Sequence, residues 1–301
     1  MNQPADFEID RRAVRRNFSR HAATVDSVSV LSREVSSRMA ERLDYIRIEP
    51  RRIIDAGCGT GMDLAELARR YPTAEIFGID AALPAILRAR PARGLLARIN
   101  PFARANGALL ACADVERLPL ASGTASMVWS NLMFNWLDDP LPGLKELGRV
   151  LEVGGMVMFS TLGPDTLKEL RSSFPETEQN RVHRFIDMHD IGDVLVKAGF
   201  GDPVMDMQMI TLTYADLDDL LRDLRLGGTT SAARNRPKGL TGRGIWREVR
   251  QRYEAMRCEG RLPATFEVVF GHAWKIPPKT TADGRSVIQF RPRDDKQGKL
   301  S

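Results

Sequence analysis

The sequence has few of the features that mark secreted or membrane proteins. It holds only three cysteines in 301 residues and no Cys-x-x-Cys pair, so we expect no disulfide framework. No apolar run reaches the roughly 18 residues that a membrane-spanning helix needs. Asp6, Glu8 and Asp10 occupy the place where a signal peptide would have its apolar stretch. We therefore expect a cytoplasmic protein without a membrane span.

The chain also lacks two common nucleotide-binding motifs around its glycine-rich segment, residues 55–61. No Gly-Lys-Ser/Thr follows, which excludes a P-loop, and Met62 stands where a dinucleotide fingerprint requires its third glycine. What remains is Asp-x-Gly-x-Gly-x-Gly, with Asp55 at the end of an apolar run. A carboxylate there repels a pyrophosphate and attracts a cationic amino group. The pattern favours S-adenosylmethionine, whose methionine part carries such a group.

Composition indicates an ordinary globular protein with a basic surface. Apolar residues make up 43% of the chain and charged residues 28%, and the formal net charge is +5. Two stretches are rich in basic residues: Arg11, Arg12, Arg15, Arg16 and Arg20, and then Arg234, Arg236, Lys238 and Arg243. Such stretches attract nucleic acid, an acidic protein or a small anion, or they are simply solvated helix faces.

Hydrophobic periodicity predicts strands that alternate with helices. The predicted strands are 52–56, 74–80, 108–114, 125–131, 156–162, 204–214 and 266–274. The predicted helices include 11–47, 140–152, 189–198, 216–226 and 245–258, and a Gly/Arg-rich loop covers 227–244. This alternation is typical of a parallel sheet with helices on both faces, so we expect an α/β fold.

Polar residues follow several of the predicted strands, where the crevice of such a sheet lies. Asp80 is placed to accept both hydroxyls of a ribose, and Asp114 to accept an adenine amino group, although Asp also caps helices. Cys58 is expected to pack as a small residue beneath the glycine turn. The predicted cofactor-binding residues are Asp55, Ala56, Gly57, Cys58, Gly59, Gly61, Asp80, Ala81, Asp114, Val115 and Asn131.

Longer segments are similar to a known enzyme family. Residues 54–61, 118–120, 130–132 and 149–155 resemble class I methyltransferases in general. Phe-Ser-Thr-Leu-Gly-Pro-Asp-Thr-Leu at 159–167, Phe-Ile-Asp-Met-His-Asp-Ile-Gly-Asp at 185–193 and Gly-His-Ala-Trp at 271–274 are more specific. With them, about residues 11–275 resemble the malonyl-acyl-carrier-protein O-methyltransferases of biotin synthesis.

The resemblance implies a fold, an activity and a partner. The fold is a Rossmann-like, seven-stranded class I methyltransferase sheet with a helical arm or lid at 1–50. The methyltransferase domain covers 51–275, with a helical insertion at about 215–260 before the last strand, and a flexible tail follows at 276–301. The implied reaction methylates the free carboxylate of malonyl-acyl carrier protein, an acidic partner that we expect to dock on the Arg-rich first helix or the 234–243 loop. We expect neither a nucleic-acid partner nor a bound metal.

Two other functions are compatible with the motifs. Mitochondrial assembly factors of respiratory complex I, which hydroxylate an arginine, share much of the Asp-Met-His segment at 187–189. The chain is then a methyltransferase-fold protein that acts on another protein. A non-enzymatic binding module that has kept the fold is the third possibility, since fold alone does not determine function. The intact acids and glycines of the 55–61 segment argue against that module.

Methylation of a malonyl carboxylate needs alignment more than acid–base chemistry. A malonyl carboxyl group has a pKa of about 4 and is already ionised at neutral pH. An arginine is suited to hold it, because the guanidinium fork binds one oxygen and leaves the other directed at the methyl group. The candidates near the specific segments are Arg171, Arg181 and Arg184, with His183 and His189 beside them. Surface arginines and a helix-start histidine are the ordinary alternatives. Trp136 and Trp274 wall the pocket or pack in the core.

One position departs from the family pattern. The first helical segment of the family usually carries Ala-x-x-Tyr-Asp, whereas this chain reads Ala22-Ala23-Thr24-Val25-Asp26, with valine in place of tyrosine. If that tyrosine covers the cofactor or contacts the substrate, its role is missing here or is filled by another residue.

Overall fold

The computed structural model describes residues 8–89, 108–237 and 239–277. These residues form one seven-stranded sheet, as predicted. The strands are β1 (Arg52–Ala56), β2 (Glu75–Asp80), β3 (Ala108–Cys112), β4 (Ala125–Ser130), β5 (Leu151–Leu162), β6 (Phe200–Tyr214) and β7 (Leu262–Lys275).

Helices pack against both faces of the sheet. They are α1 (Arg11–His21), α2 (Val30–Arg42), α3 (Leu64–Arg70), α4 (Leu83–Ala89), α5 (Pro140–Val150), α6 (Lys168–Ser173), α7 (Met188–Lys197), α8 (Leu217–Leu226) and α9 (Arg243–Glu254). Both α8 and α9 lie between β6 and β7 along the chain, as the predicted helical insertion requires. No helix in the described part of the chain is long and apolar enough to cross a membrane.

The sheet order is β3-β2-β1-β4-β5-β7-β6, and β7 alone runs antiparallel to its neighbours β5 and β6. The carboxyl ends of β1 to β5 therefore lie at the same edge. Parallel pairing sets Asp55 beside Gly78 of β2 and beside Trp129 of β4. In sheets of this type ligands bind in the crevice outside the carboxyl ends of the strands. This edge is where a site is expected.

Alternating strand residues supply two apolar layers. Ile53 faces a layer that includes Val35 and Met39 of α2, Leu67 of α3 and Val249 of α9. The next residue of β1, Ile54, faces the opposite layer. That layer includes Leu144 and Leu147 of α5, Ile191 and Leu195 of α7, and Val157 of β5. Because both faces are covered, the strands are apolar on both sides.

The structure differs from the prediction at several boundaries. The predicted helix over 11–47 is divided into α1, a 3₁₀ turn at Val25–Val28, α2 and a second 3₁₀ turn at Leu43–Tyr45. Strand β5 begins at Leu151 rather than 156, because Gly154 takes a positive φ of 82° and lets pairing with β4 resume after a bulge. Helix α6 and a 3₁₀ turn at Glu176–Arg181 were not predicted. The proposed flexible tail lies outside the described residues from 278 onward.

Candidate active site

The glycine turn after β1 has the conformation that its sequence requires. Gly57, Gly59 and Gly61 have φ values of 83°, 53° and 85°, a region that residues with a Cβ rarely adopt. An ideal Cβ at Gly57 would lie 2.5 Å from the Cγ of Met133, so the segment after β4 lies directly against the turn. A Cβ at Gly59 would contact nothing within 4 Å, which leaves open space beside that backbone. The turn can accommodate a closely approaching ligand.

Asp55, at the carboxyl end of β1, is a buried acid with an unsatisfied atom. Only 1% of its surface is exposed, and its Oδ2 has no hydrogen-bond partner among the described residues. Burial raises the pKa of Asp55 well above its usual range, and the nearby carboxylates of Asp63 and Asp80 raise it further. Three acids lie close together, and no described residue places a cation beside Asp55, which fits a site that receives a cationic ligand.

The other predicted cofactor residues lie around the same edge. Asp80 accepts hydrogen bonds from the backbone N–H of Gly59 at 3.0 Å and of Ala82 at 2.7 Å, so it holds the turn against the start of α4. Burial raises the pKa of Asp80. Ala81, beside it, is exposed. Cys58 is buried beneath the turn, and burial raises the pKa of its thiol, as expected for a packing residue rather than a nucleophile.

Asp114 lies on the outer side of the crevice, after β3. Its carboxylate accepts two hydrogen bonds of 2.7 Å from Arg11 of α1 and one of 3.1 Å from the backbone N–H of Glu116. The Asp114 side chain is nevertheless 49% exposed, and the adjacent Val115 is half-buried. A contact between Asp114 and an adenine stays a prediction, and in this structure the carboxylate also fastens α1.

A residue that the sequence analysis missed, Asp63, connects the arm to the crevice. Its carboxylate is buried and accepts hydrogen bonds from Ser36 of α2 at 2.6 Å, from the Trp129 indole at 2.9 Å and from Asn131 at 3.2 Å. Burial raises the pKa of Asp63, while the three donors oppose that shift. The available signal was an acid two positions after the last glycine of the turn.

Substitutions at Asp63 should separate the role of its hydrogen bonds from that of its charge. We expect Asp63→Ala to lower the free energy of unfolding by about 3 kcal/mol, because it leaves the buried donors of Trp129 and Asn131 unsatisfied. Asp63→Asn should cost under about 1 kcal/mol, since its amide oxygen can still accept from both while its NH₂ donates to the Ser36 hydroxyl. Urea unfolding measures both values. Equal losses for the two variants would contradict this assignment.

The arm also touches the glycine turn itself. Thr60 donates a 2.6 Å hydrogen bond to Asp26, which lies in the 3₁₀ turn at Val25–Val28. Val25, the position of the family tyrosine, is half-buried in the same turn. Earlier in the arm, Phe18 of α1 packs edge-on against Trp136, with ring centroids 5.3 Å apart. The arm therefore lies over the crevice at the carboxyl edge of the sheet.

The segment after β4 joins the glycine turn to a second group of polar residues. Leu132 has a positive φ of 52°, and its N–H donates a 2.9 Å hydrogen bond to the Ser160 hydroxyl of β5. Met133 lies against Gly57, and Trp136 lies 5.7 Å from the His183 ring between centroids. A strained, non-glycine residue between two such contacts is typical of a functional edge.

The second group consists of two cationic residues, Arg171 and Arg184, and the imidazole of His183. The Arg171 guanidinium donates to the backbone carbonyls of Pro164, Thr166 and His183, at 2.9, 2.8 and 3.1 Å. Burial lowers the pKa of Arg171, and the charge of Arg184 lowers it further. Two guanidinium groups that oppose each other in a partly buried place favour an anion between or beside them.

His183 is the least satisfied residue of this group. It is 6% exposed, and neither ring nitrogen has a hydrogen-bond partner in the part of the chain that the structure describes. The ring lies between Trp136 and Phe185, 4.9 Å from the latter. Burial, helped by the charge of Arg171, lowers the pKa of His183 to about 4. At neutral pH the imidazole is therefore uncharged, with one nitrogen as donor and the other as acceptor.

The lowered pKa of His183 makes stability depend on pH. Between about pH 6.5 and pH 4 the unfolded chain binds a proton that the folded chain does not, so this residue destabilises the fold as pH falls. Between pH 7 and pH 5 we expect a loss of about 2 kcal/mol from this source. His183→Gln should lose correspondingly less over that interval, as measured by urea unfolding at both values. An identical loss in the variant would show that His183 does not titrate in this way.

The remaining candidates have ordinary surroundings. His189 is 87% exposed, and its Nδ1 lies 2.9 Å from Asp187, which caps the start of α7, so the structure favours a helix-start role. Arg181 forms an ion pair with Glu178 one turn earlier. Trp274 is level with Met156 of β5, toward the opposite end of the sheet, and packs against the core. Of the two alternatives for Trp274, the structure favours packing against the core.

Comparison with known proteins agrees with this geometry. A family model described as a methyltransferase domain matches residues 54–159, from β1 through most of β5. The malonyl-acyl-carrier-protein O-methyltransferase of Laribacter hongkongensis is 49% identical over 95% of this chain and 97% of its own length. That of Methylovorus sp. is 47% identical, with the same coverage of 95% and 97%.

The chain belongs to the malonyl-acyl-carrier-protein O-methyltransferase family. It is an S-adenosylmethionine-dependent methyltransferase. Solved structures agree on the fold of this methyltransferase. The YcgJ protein of Bacillus subtilis superposes with a TM-score of 0.54 at 11% identity, covering 80% of this chain and 98% of its own. A Thermotoga maritima S-adenosylmethionine-dependent methyltransferase gives 0.50 at 16% identity, covering 87% and 99%.

The residues of the methyltransferase fit its cofactor in charge and in space. The Oδ2 of Asp55 is a buried acceptor without a donor, and the ammonium of S-adenosylmethionine is a donor with the opposite charge. The open space beside Gly59 admits a ligand against the backbone of the turn. Within the described residues no group of three or more His, Cys, Asp or Glu side chains is arranged to hold a metal ion.

Proposed function

We propose that this methyltransferase esterifies the free carboxylate of malonyl-acyl carrier protein, to supply a methyl-capped primer for the pimeloyl chain of biotin. The observation that carries the proposal is the pairing of two sites along one sheet edge. A buried acid faces an open glycine turn, and a short segment away lies a cationic group that includes the His183 ring, whose nitrogens have no hydrogen-bond partner among the described residues. The substrate assignment is supported by relatives named malonyl-acyl-carrier-protein O-methyltransferase, which align with this chain over nearly their whole length.

In this proposal the cofactor is held by the predicted residues of the turn and of the strands beside it. Asp55 binds the ammonium group, Asp80 the ribose hydroxyls and Asp114 the adenine amino group. The glycine turn allows the backbone to approach closely, and Asn131, fixed by its hydrogen bond to Asp63, borders the crevice. When bound, S-adenosylmethionine supplies a methyl group activated by its sulfonium.

The malonyl carboxylate is bound by the cationic group. Arg184 lines a small cavity together with Asn135 and Thr161, at the carboxyl ends of β4 and β5. His183 contributes an uncharged ring with a free donor nitrogen. Arg171 is committed to three backbone carbonyls, so it contributes mainly its charge and the shape of the segment. His189 stays outside this arrangement as a solvent-exposed residue.

These residues accomplish methyl transfer by alignment and dehydration. No side chain needs to remove a proton, because the carboxylate is already ionised. Arg184 holds one carboxylate oxygen, and the second oxygen is the nucleophile that forms the new ester bond. The Phe18, Trp136, His183 and Phe185 rings exclude water, which would otherwise solvate the nucleophile and slow its attack.

The proposal is tested by supplying methyl-labelled S-adenosylmethionine with three forms of the carrier protein. We expect label on malonyl-carrier protein and none on acetyl-carrier protein or the unloaded carrier, because only the first has a free carboxylate. Base treatment should release the label as volatile methanol, as a methyl ester requires. Asp55→Ala serves as the control without cofactor binding. Cofactor binding without transfer would instead favour a protein-modifying role like that of the complex I assembly factors.

The cellular setting belongs to the same proposal. A cytoplasmic location places the enzyme with the carrier protein of fatty-acid synthesis, and no nucleic-acid partner is needed. The division into an arm at 1–50, a domain at 51–275 and a tail at 276–301 likewise stays a prediction. The contacts of Asp26 and Ser36 with the crevice support a covering role for the arm.

A further inference from the structure

Helix α1 has two faces with different chemistry. Its inner face is fixed to the enzyme by the buried Ala13, by Phe18 against Trp136 and by Arg11. The guanidinium of Arg11 pairs with Asp114 and Glu116 at 2.7 and 2.5 Å. Its outer face carries four exposed arginines: Arg12, Arg15, Arg16 and Arg20. The helix itself contains no acidic residue.

Many arginines elsewhere in the described part of the chain form an ion pair with an acid, although exposed residues such as Arg47, Arg117 and Arg247 do not. Arg69 pairs with Glu66 within α3, and Arg252 pairs with Glu248 within α9. In the second basic stretch Arg234 pairs with Asp138 and Arg236 with Asp10, whereas Arg243 has no ion pair with a described residue. Lys238 of that stretch lies outside the described residues. The four outer arginines of α1 also form no ion pair with any residue that the structure describes, and they lie together on one helix that has no acidic residue.

The outer face of α1 is therefore costly to the isolated enzyme. Arg12 and Arg16, and then Arg16 and Arg20, stand four residues apart, where like charges destabilise a helix by about 0.2–0.5 kcal/mol per pair. Arg12 also lies in the first turn, where the helix dipole disfavours a cation. An anionic partner bound along this face would remove both penalties.

Two features indicate a protein partner rather than a small anion. The charges extend over about 12 Å of helix, from Arg12 to Arg20 at about 1.5 Å per residue, which is longer than a small anion can contact. The helix also lies above the site entrance, since its Phe18 and the adjoining Ala22 pack against Ala82 and Ala85 at the start of α4. A protein that delivers a tethered substrate to the site must itself bind near this entrance.

We propose that Arg12, Arg15, Arg16 and Arg20 form the docking surface for the acidic carrier protein that delivers the malonyl thioester. This inference rests on the proposed function, because it takes the substrate to be protein-borne. The surface binds the protein part of the substrate and has no contact with the reacting carboxylate. Electrostatic complementarity of this kind raises the rate of encounter and weakens with salt.

The test compares the fourfold variant R12Q/R15Q/R16Q/R20Q with wild-type enzyme on two substrates. With malonyl-carrier protein we expect KM to rise about 10-fold or more, with kcat unchanged. With malonyl-pantetheine, which lacks the protein, kcat/KM should stay at the wild-type value. Added salt should raise the wild-type KM for the carrier substrate more than that of the variant.

A matched control removes the same charge from paired arginines elsewhere. The variant R69Q/R222Q/R250Q/R252Q alters residues that each have an acidic partner, and its KM should stay near that of wild type. An unchanged KM in the α1 variant, or an equal loss on both substrates, would overturn the docking proposal. Failure of wild-type enzyme to methylate either substrate would instead overturn the proposed function.

A competition experiment separates an acidic protein from a nucleic acid. Unloaded carrier protein should inhibit wild-type enzyme competitively and should inhibit the α1 variant weakly. A single-stranded DNA oligomer that supplies the same total concentration of negative charge should have little effect on either wild-type enzyme or the α1 variant. Strong inhibition by DNA, lost in the α1 variant, would assign the surface to nucleic acid and contradict the proposal.

Discussion

Asp55→Asn should weaken binding of S-adenosylmethionine by about 30-fold or more, because loss of one partner from a buried ion pair costs about 2–5 kcal/mol. The substitution keeps the shape of the side chain and removes only the charge. Asp55 is buried beside Asp63 and Asp80, so the free variant should be as stable as wild type or more stable. Calorimetry of cofactor binding and thermal unfolding of the free protein measure the two effects separately.

The matched control is Asp206→Asn, an acid on β6 whose exposed side chain pairs with Arg42. It removes the same charge away from the crevice, so the affinity for S-adenosylmethionine should stay within about twofold of wild type. If Asp55→Asn bound the cofactor with wild-type affinity, the assignment of Asp55 to the ammonium group would be wrong. Loss of affinity together with loss of stability would point to misfolding instead.

The raised pKa of Asp55 adds a second signature. A bound cation favours the ionised carboxylate, so binding should release a proton when the pH is near or below that raised pKa. Affinity should then increase with pH over the same range. Calorimetry in two buffers of different ionisation enthalpy measures the number of protons released per cofactor bound. That number should be smaller for Asp55→Asn.

Arg184→Gln should lower kcat/KM for malonyl-carrier protein by about 30- to 1000-fold, which corresponds to about 2–4 kcal/mol of lost carboxylate binding and alignment. The affinity for S-adenosylmethionine should change by less than about twofold, because the cofactor residues lie around the glycine turn. Arg184→Lys keeps the charge but loses the planar fork, so its kcat/KM should lie between the values of wild type and Arg184→Gln. Steady-state kinetics and cofactor calorimetry provide the comparison.

The control for this series is Arg181→Gln. Arg181 belongs to the same segment, yet it pairs with its own acid, Glu178. Its replacement should leave kcat/KM near the wild-type value. Equal losses in the Arg181 and Arg184 variants would show that the segment as a whole, and not Arg184, determines activity. A wild-type kcat/KM in Arg184→Gln would remove Arg184 from the site.

Local sequence signals predicted the part of the site that lies on regular elements. Asp55, the glycine turn and Asp80 follow apolar runs, and their positions depend on strand pairing and on the φ angles of Gly57, Gly59 and Gly61. Both constraints are local or follow from the parallel sheet. The seven strands were predicted for the same reason, since each combines an apolar run with a turn signal.

Other parts depend on contacts between distant residues, which no local pattern records. The acceptor role of Asp63 requires Ser36 from the arm and Trp129 from β4, which are far apart in the chain. The environment of His183 depends on Trp136, which lies 47 residues earlier in the chain. Trp274 looked equally suited to a pocket wall until the antiparallel pairing of β7 placed it toward the other end of the sheet.

The most direct test locates the transferred methyl group on the product. Malonyl-carrier protein is incubated with the enzyme and S-adenosylmethionine that carries a deuterated methyl group, and the product is fragmented in a mass spectrometer. The account predicts the label on the malonyl unit as an ester of its terminal carboxylate, with none on carrier-protein side chains. Label on a protein side chain, or no label while the cofactor binds, would contradict it.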